Sequence, residues 1–329
     1  MKKIINQPEN VVSEMLDGLV YSSEKIITRL PDTSVILRKY KTDGKVALVS
    51  GGGSGHEPTH AGFVGKGMLA AAVCGPVFTS PAPDEIVQAI KAADQGAGVL
   101  LIIKNYSGDI MNFEMAEELA QMDGIQVDHV VVDDDIAVEN STYTAGKRGV
   151  AGTVLVHKLL GAAAENGLTL EELKSLADQV IPQIKTIGVA LSPATVPESG
   201  KPGFELGEDE MEYGVGIHGE PGYRREKIKT SEQIAAELVT RLKKEFNWQA
   251  GDDYAILVNG LGATPLMEQY IFTNDVHKLL EGDHLKVPFR KVGSLMSSLD
   301  MAGISLTLVH LKEKSWLNYL DQPVETTAW

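Results

Sequence analysis

The sequence predicts an α/β protein made of two α/β domains, each a mostly parallel or mixed sheet flanked by helices. Three observations carry this prediction. Short aliphatic runs at residues 46–49, 68–73, 99–103 and 127–132 alternate with helix-period segments, the pattern of a sheet covered on both faces. A length of 329 residues suffices for two cores. Around residues 188–197 the chain turns Pro/Ser/Gly-rich and a second strand–helix series follows, which divides it into domains 1–187 and 188–329.

In chain order, Asn6-Gln7-Pro8-Glu9 reads as a helix start with proline in the first turn. Val12, Met15, Leu16, Leu19 and Val20 continue it at helical spacing. The strand at 46–49 feeds a loop of Gly51, Gly52, Gly53, Ser54 and Gly55, then His56, Glu57, Pro58, Thr59 and His60. Glycines this dense serve a backbone that must turn sharply or lie close to a bound group. A strand feeding such a loop is where open α/β sheets place ligands. The run at 68–73 ends at Cys74-Gly75, and a helix begins near Asp84. The strand at 99–103 ends in Lys104-Asn105-Tyr106-Ser107-Gly108-Asp109, before a helix at 111–122. The strand at 127–132 ends in Asp133, Asp134 and Asp135, and helices follow at 151–165 and 170–180. The second half reads as strand 212–217, turn 218–222, helix 231–246, strand 254–259, glycine loop 260–265, helix 266–280 and strand 304–310. Four loops rich in small and polar residues thus leave one sheet edge of the first half, which suggests a pocket.

Bulk properties exclude several classes. A formal net charge of -15 disfavours nucleic acid, whose phosphates the chain would repel. The single cysteine, Cys74, excludes an internal disulfide and any cysteine-rich zinc site. No apolar run approaches a membrane span, and the N-terminus lacks a signal-peptide core. The expectation is a cytoplasmic, soluble protein.

The glycine stretch is not a nucleotide loop by the usual patterns. No Gly-Lys pair is followed by Ser or Thr, and His56 stands where the last glycine of a dinucleotide fingerprint would fall. His56-Glu57-Pro58-Thr59-His60 formally matches a zinc signature, but Pro58 opposes the helix which that motif needs. A polar loop turning into a helix at Pro58 is the better reading, with no metal. Asp109 at a strand's end suits either a general base or an N-cap, and alone the cap is favoured. Asp133 to Asp135 read as solvated or capping. His218, between Gly216 and Gly219, suits an exposed reactive imidazole, although most loop histidines have no special role. His129, His157, His277, His284 and His310 are read as structural.

Five blocks in order, SGGGSGHEPTHAGFVGKGML, CGPVFTSP, LLIIKNYSGDIMNFEMA, VVVDDDIAVE and GIHGEPG, resemble the substrate-binding K domain of dihydroxyacetone kinases. The resemblance covers essentially the whole chain and implies a homodimer of paired α/β units. It places the family's ketone-binding histidine, whose imidazole adds to dihydroxyacetone as a hemiaminal, on His218. A ketone accepts a nucleophilic imidazole where the alcohol glycerol cannot. The polar substrate cradle falls on Gly53, Ser54, Gly55 and His56, with Lys104 and Asp109. His56 and Asp109 match the acid/base pair, Asp109 accepting the proton of the attacking hydroxyl. Single-chain family members continue into a helical domain that binds ATP and magnesium. This chain reaches Trp329 without such a segment, so the resemblance implies a separate K subunit with no cofactor of its own. The Mg-nucleotide is then expected on a partner L subunit, recharged in the phosphotransferase-dependent bacterial version by a phosphohistidine-carrying M subunit.

Two competing readings remain. A regulatory paralogue binds dihydroxyacetone and activates transcription without phosphorylating anything. A generic binding protein for small carbonyl compounds is weaker. The presence of His56, Lys104 and Asp109 together favours catalysis.

Overall fold

The computed structural model describes residues 2–41, 43–138 and 144–329. Six strands form the first sheet: β1 (Ile27–Arg29), β2 (Val35–Arg38), β3 (Ala47–Ser54), β4 (Ala71–Val77), β5 (Val99–Lys104) and β6 (Val127–Val132), in the order β1-β2-β4-β3-β5-β6. The last four positions are parallel, while β2 runs antiparallel to β4 and to β1. Helices α1 (Val11–Ser22), α2 (Pro83–Ala93), α3 (Ser107–Met122), α4 (Gly152–Glu165) and α5 (Leu170–Val180) complete this half.

Side-chain alternation assigns the faces, as the two-residue period of a strand requires. Ala47, Val49, Val99, Leu101 and Ile103 pack with Ile86, Ile90, Phe113 and Ala116 of α2 and α3. Leu48, Leu100 and Ile102 point the other way, towards Leu155 and Leu159 of α4. Every residue of α4 from Gly152 to Ala164 is buried, because the same core continues to Ala255, Leu257 and Val309 of the second sheet. A helix apolar all round is the kind that a core can enclose on all sides.

The second sheet contains β7 (Ile184–Ala190), β8 (Glu210–Tyr213), β9 (Arg224–Lys227), β10 (Asp253–Gly260), β11 (Lys286–Gly293) and β12 (Gly303–His310), ordered β11-β10-β12-β7-β8-β9. Only β10 and β11 are parallel neighbours. This sheet is mixed, as the broader wording of the expectation allowed. Helices α6 (Ser231–Phe246) and α7 (Leu266–Gly282) cover its outer face, while α8 (Lys314–Asp321) packs on α4. Thr169 and Thr230 open α5 and α6 with reciprocal capping boxes to Glu172 and Gln233, satisfying amides that the first turn leaves unpaired.

Several boundaries differ from expectation. β7 runs through 188, so residues 184–187 pair with β12, and a division at 187/188 falls inside a strand. Gly188 is not a linker residue: a Cβ there would stand 3.1 Å from the Ile304 carbonyl oxygen. The chain turns into a short 3-10 helix at Ala61–Phe63, not at Pro58. The strand expected at 212–217 ends at Tyr213. Strands β1, β2, β7, β9 and β11 and helix α8 were not anticipated. β11 alternates exposed and half-buried residues and contains Pro288, the character of an edge strand.

Candidate active site

β3 carries the glycines to the edge of the first sheet as strand, not loop, because neighbouring atoms leave no room for side chains. A Cβ on Gly51 would come within 2.5 Å of the Val73 carbonyl oxygen, and one on Gly53 within 2.5 Å of the Thr79 amide nitrogen. On Gly52 it would meet Lys104 Nζ at 2.4 Å. The glycines therefore serve close approach, and Lys104 at the end of β5 fills the space beneath Gly52. Lys104 Nζ donates to Asp109 Oδ2 at 3.1 Å, and both residues are buried. Asp109 lies in the first turn of α3 without capping it; the N-cap position is Tyr106, whose side chain makes no cap. The expected cap is corrected here: α3 starts at Ser107, four residues before the position expected, and draws Asp109 into the helix.

The second domain contributes a tight turn after β8, closed by the bond from Gly219 N to the Gly216 carbonyl and from Gly216 N to the Glu220 carbonyl. This turn presents His218. A cavity of 640 Å³ is lined by Gly53, Phe78, Tyr106, Asp109, Asn112 and His218 among others. The His218 ring is wedged edge-on against Tyr106 and Phe78, with centroids 4.6 and 5.3 Å away.

Hydrogen-bond logic assigns the protons. His56 Nδ1 stands 2.9 Å from the Ser297 carbonyl oxygen, and His218 Nδ1 stands 3.2 Å from Glu220 Oε1. Burial raises the Glu220 carboxyl, but the His218 hydrogen bond and the His218 and Arg148 charges outweigh it and leave it below its ordinary value. A carbonyl and an ionised carboxylate only accept, so both Nδ1 atoms carry protons. The two Nε2 atoms, 3.1 Å apart, then bond only by sharing one further proton. Burial first, then the His218 and Lys104 charges, hold His56 well below the usual imidazole range.

His60, the other histidine of the apparent zinc signature, faces elsewhere. Its Nδ1 lies 2.9 Å from His157 Nε2 in a separate buried pair. Burial, followed by the Lys104 charge, pushes His157 down to about 3. Ser54 and Gly55 also turn away from His218. Ser54 Oγ donates to the Gly75 carbonyl at 2.7 Å, Gly55 N donates to the Glu57 carboxylate, and both line a second cavity beside the N-terminal arm. The structure thus brings together Gly53, His56, Lys104, Asp109 and His218, and sets Ser54 and Gly55 behind them.

The aspartate run does not stay in solvent. Asp134 accepts from Val150 N and Gly152 N at the start of α4 and from Thr186 Oγ1. Burial raises its carboxyl to about 6. Asp135 is buried against Arg148, with Arg148 Nε 2.8 Å from its Oδ2. The block that resembles the family here ends at Glu139, which lies outside the described residues. Glu220, Tyr106, Phe78 and Arg148 escaped the sequence reading. The signal for Glu220 was its place two residues from His218 within the same glycine-bounded turn.

Comparison with known proteins identifies relatives of the whole chain. The dihydroxyacetone-binding subunit DhaK of the PTS-dependent dihydroxyacetone kinase from Lactococcus lactis is 65% identical over 328 residues, covering 100% of this chain and 99% of that protein. The DhaKLM operon coactivator DhaQ of the same organism is 48% identical, covering 99% of this chain and 100% of its own. The crystal structure of the dihydroxyacetone kinase of C. freundii matches with a TM-score of 0.89 at 36% identity, covering 100% of this chain and 60% of that one. The Dak1 domain family matches residues 17–328, a span that includes both sheets and every residue of the site. The chain therefore belongs to the Dak1 domain family, alongside the K-type subunits of dihydroxyacetone kinases.

Proposed function

We propose that the chain is the substrate-binding and catalytic subunit of a dihydroxyacetone kinase, a phosphotransferase. In this reading it holds dihydroxyacetone covalently on His218 and presents a hydroxyl for phosphorylation, giving dihydroxyacetone phosphate. The observation that carries this is the placement of His218 and Asp109 on one cavity, with His56 bonded to the His218 nucleophile. The similarity to DhaK subunits supports the choice of substrate.

The proton inventory permits adduct formation without outside help. Transfer of the shared proton to His56 frees His218 Nε2. Its lone pair forms the bond to the carbonyl carbon, the carbonyl π pair moves to oxygen, and that oxygen takes the proton from His56 Nε2. The ring is left as an Nε2-alkylated imidazolium, its Nδ1–H still donated to Glu220. A hydroxyl of the anchored substrate then attacks phosphorus while Asp109 takes its proton. Holding nucleophile and base in place is what phosphoryl transfer asks of a protein. Diffraction from crystals soaked in dihydroxyacetone is expected to show continuous density from His218 Nε2 to the substrate carbon. A bound but unattached ketone would rule out the covalent step.

The phosphoryl donor in this reading is a Mg-nucleotide held on an L-type partner subunit and recharged by an M-type subunit, and the chain itself acts as a homodimer. A partner must reach Asp109, and α3, whose first turn carries it, exposes Met111, Met115, Leu119 and Met122 along one stripe. The purified chain is expected to show no turnover with ATP alone and to gain it when an L-type subunit and its donor are added. Turnover with ATP alone would overturn the separate-donor reading. Adduct formation without turnover in the complete system would instead favour the coactivator role named for DhaQ.

A further inference from the structure

Behind His218 stands a second layer of charge that the reaction above does not use directly. Glu220 is 3% exposed and engages His218 twice, through Nδ1 and through the backbone amide at 3.0 Å. Its Oε2 lies against Gly216, where an added Cβ would stand 2.0 Å from it. The same Cβ would stand 2.6 Å from Arg148 Nη1, so the carboxylate and the guanidinium share one small space that only glycine leaves open. Arg148 is wholly buried, and Asp135 and the Gly214 carbonyl hold its Nε and Nη2. Nη1 is left without a hydrogen-bond partner among the described residues. A buried N–H rarely goes unanswered, and the charge it faces is Glu220. The Tyr106 hydroxyl, likewise unpartnered among the described residues, is also within the field of Glu220 and Arg148.

We propose that Arg148, clamped by Asp135, is a positioning residue that fixes the Glu220 carboxylate and through it the Nδ1–H form of His218, leaving Nε2 to face His56 and the cavity. This gives the aspartate run after β6 a task in the site: Asp135 orients Arg148, Arg148 orients Glu220, and Glu220 selects the ring nitrogen that meets substrate. The charged and titratable groups around Glu220 are His218 in its own turn, Arg148 and Asp135 in the segment between β6 and α4, and Tyr106 at the start of α3. The proposal rests on the ketone-binding reading of His218, but its test does not.

The experiment is 15N NMR of the substrate-free, histidine-labelled chain, with adduct formation as a second readout. In the unaltered protein His218 is expected to show a protonated, hydrogen-bonded Nδ1. The double variant Asp135→Asn/Arg148→Met removes both buried charges together, and Gly216→Ala wedges Glu220 from Arg148 while keeping every charge. Each is expected to weaken the Nδ1 signature and to bring up signal from the other tautomer. The rate of adduct formation is expected to fall about tenfold or more, the range seen when an outer partner of a functional imidazole is removed. Glu220→Gln is expected to shift the signals in the same direction. Unchanged His218 signals in whichever of the double variant and Gly216→Ala folds would overturn the proposal, as would unchanged signals in Glu220→Gln. Absence of any adduct in the unaltered protein, with the tautomer as described, would count against the ketone reading alone.

Discussion

Asp109→Asn is expected to lower phosphoryl transfer by about 10²–10⁴-fold, the usual contribution of a positioned general base, while leaving the covalent adduct intact. The substitution is nearly isosteric. Its amide oxygen can still accept from Lys104, so α3 keeps that hydrogen bond, although the buried lysine loses its counter-charge and the fold some stability. What disappears is the acceptor for the hydroxyl proton. His218, His56 and Glu220 are untouched, and in the proposed reaction the proton for the adduct comes from the histidine pair. Turnover in the complete donor system and adduct stoichiometry by intact mass should therefore separate. Near-normal turnover would remove Asp109 as the base, and loss of the adduct would mean that Asp109 shapes the ketone site itself.

Arg148→Met is expected to destabilise the fold by about 3–5 kcal/mol, the cost of breaking a buried ion pair by removing one member. Arg148 is 0% and Asp135 4% exposed, so Asp135 would be stranded without a counter-charge. The Gly214 carbonyl would lose its donor as well. Asp135→Asn/Arg148→Met should recover much of this loss, since position 135 no longer carries a stranded charge and Asn can still accept from Ala137 N, as Asp135 does now. Urea unfolding of the three proteins decides the matter. Equal midpoints for the single and double variants would show that the guanidinium is not offsetting a buried charge. The effect on stability is distinct from the effect on the His218 tautomer, which is read in folded protein.

The parallel half of the first sheet was legible because its strands are buried on both faces and read as unbroken aliphatic runs. The edge strands were not. Ile27–Arg29 is only three residues long, and Lys286–Gly293 mixes charge and proline with its apolar positions. The glycine stretch was recognised as the centre of the first domain but taken for a loop. Nothing in the residues from Gly51 to Gly53 announces that the bulk opposite them is the Val73 carbonyl, the Thr79 amide and Lys104. His218, Asp109 and His56 came from a resemblance spread over five blocks, and no single spacing pointed to them. Arg148 was invisible for a different reason: a buried charge matters through its partners, and Asp135 and the Gly214 carbonyl lie 13 and 66 residues from it in the sequence.

That the site draws on both domains has a bearing on how it comes into being. His56 meets His218 across 162 residues of chain and Ser297 across 241. Contacts this distant in sequence cost more to close than local ones, though the cost grows slowly with length, and they slow folding. As the chain leaves the ribosome, the first sheet can assemble with its glycine strand, Lys104 and Asp109 in place while the nucleophile is still unmade. Ser297 lies between β11 and β12, so the carbonyl that orients His56 belongs to the last part of the second sheet. On the ketone-binding reading proposed above, the His56–His218 pair that would meet a carbonyl compound exists only where both halves of the chain are in place.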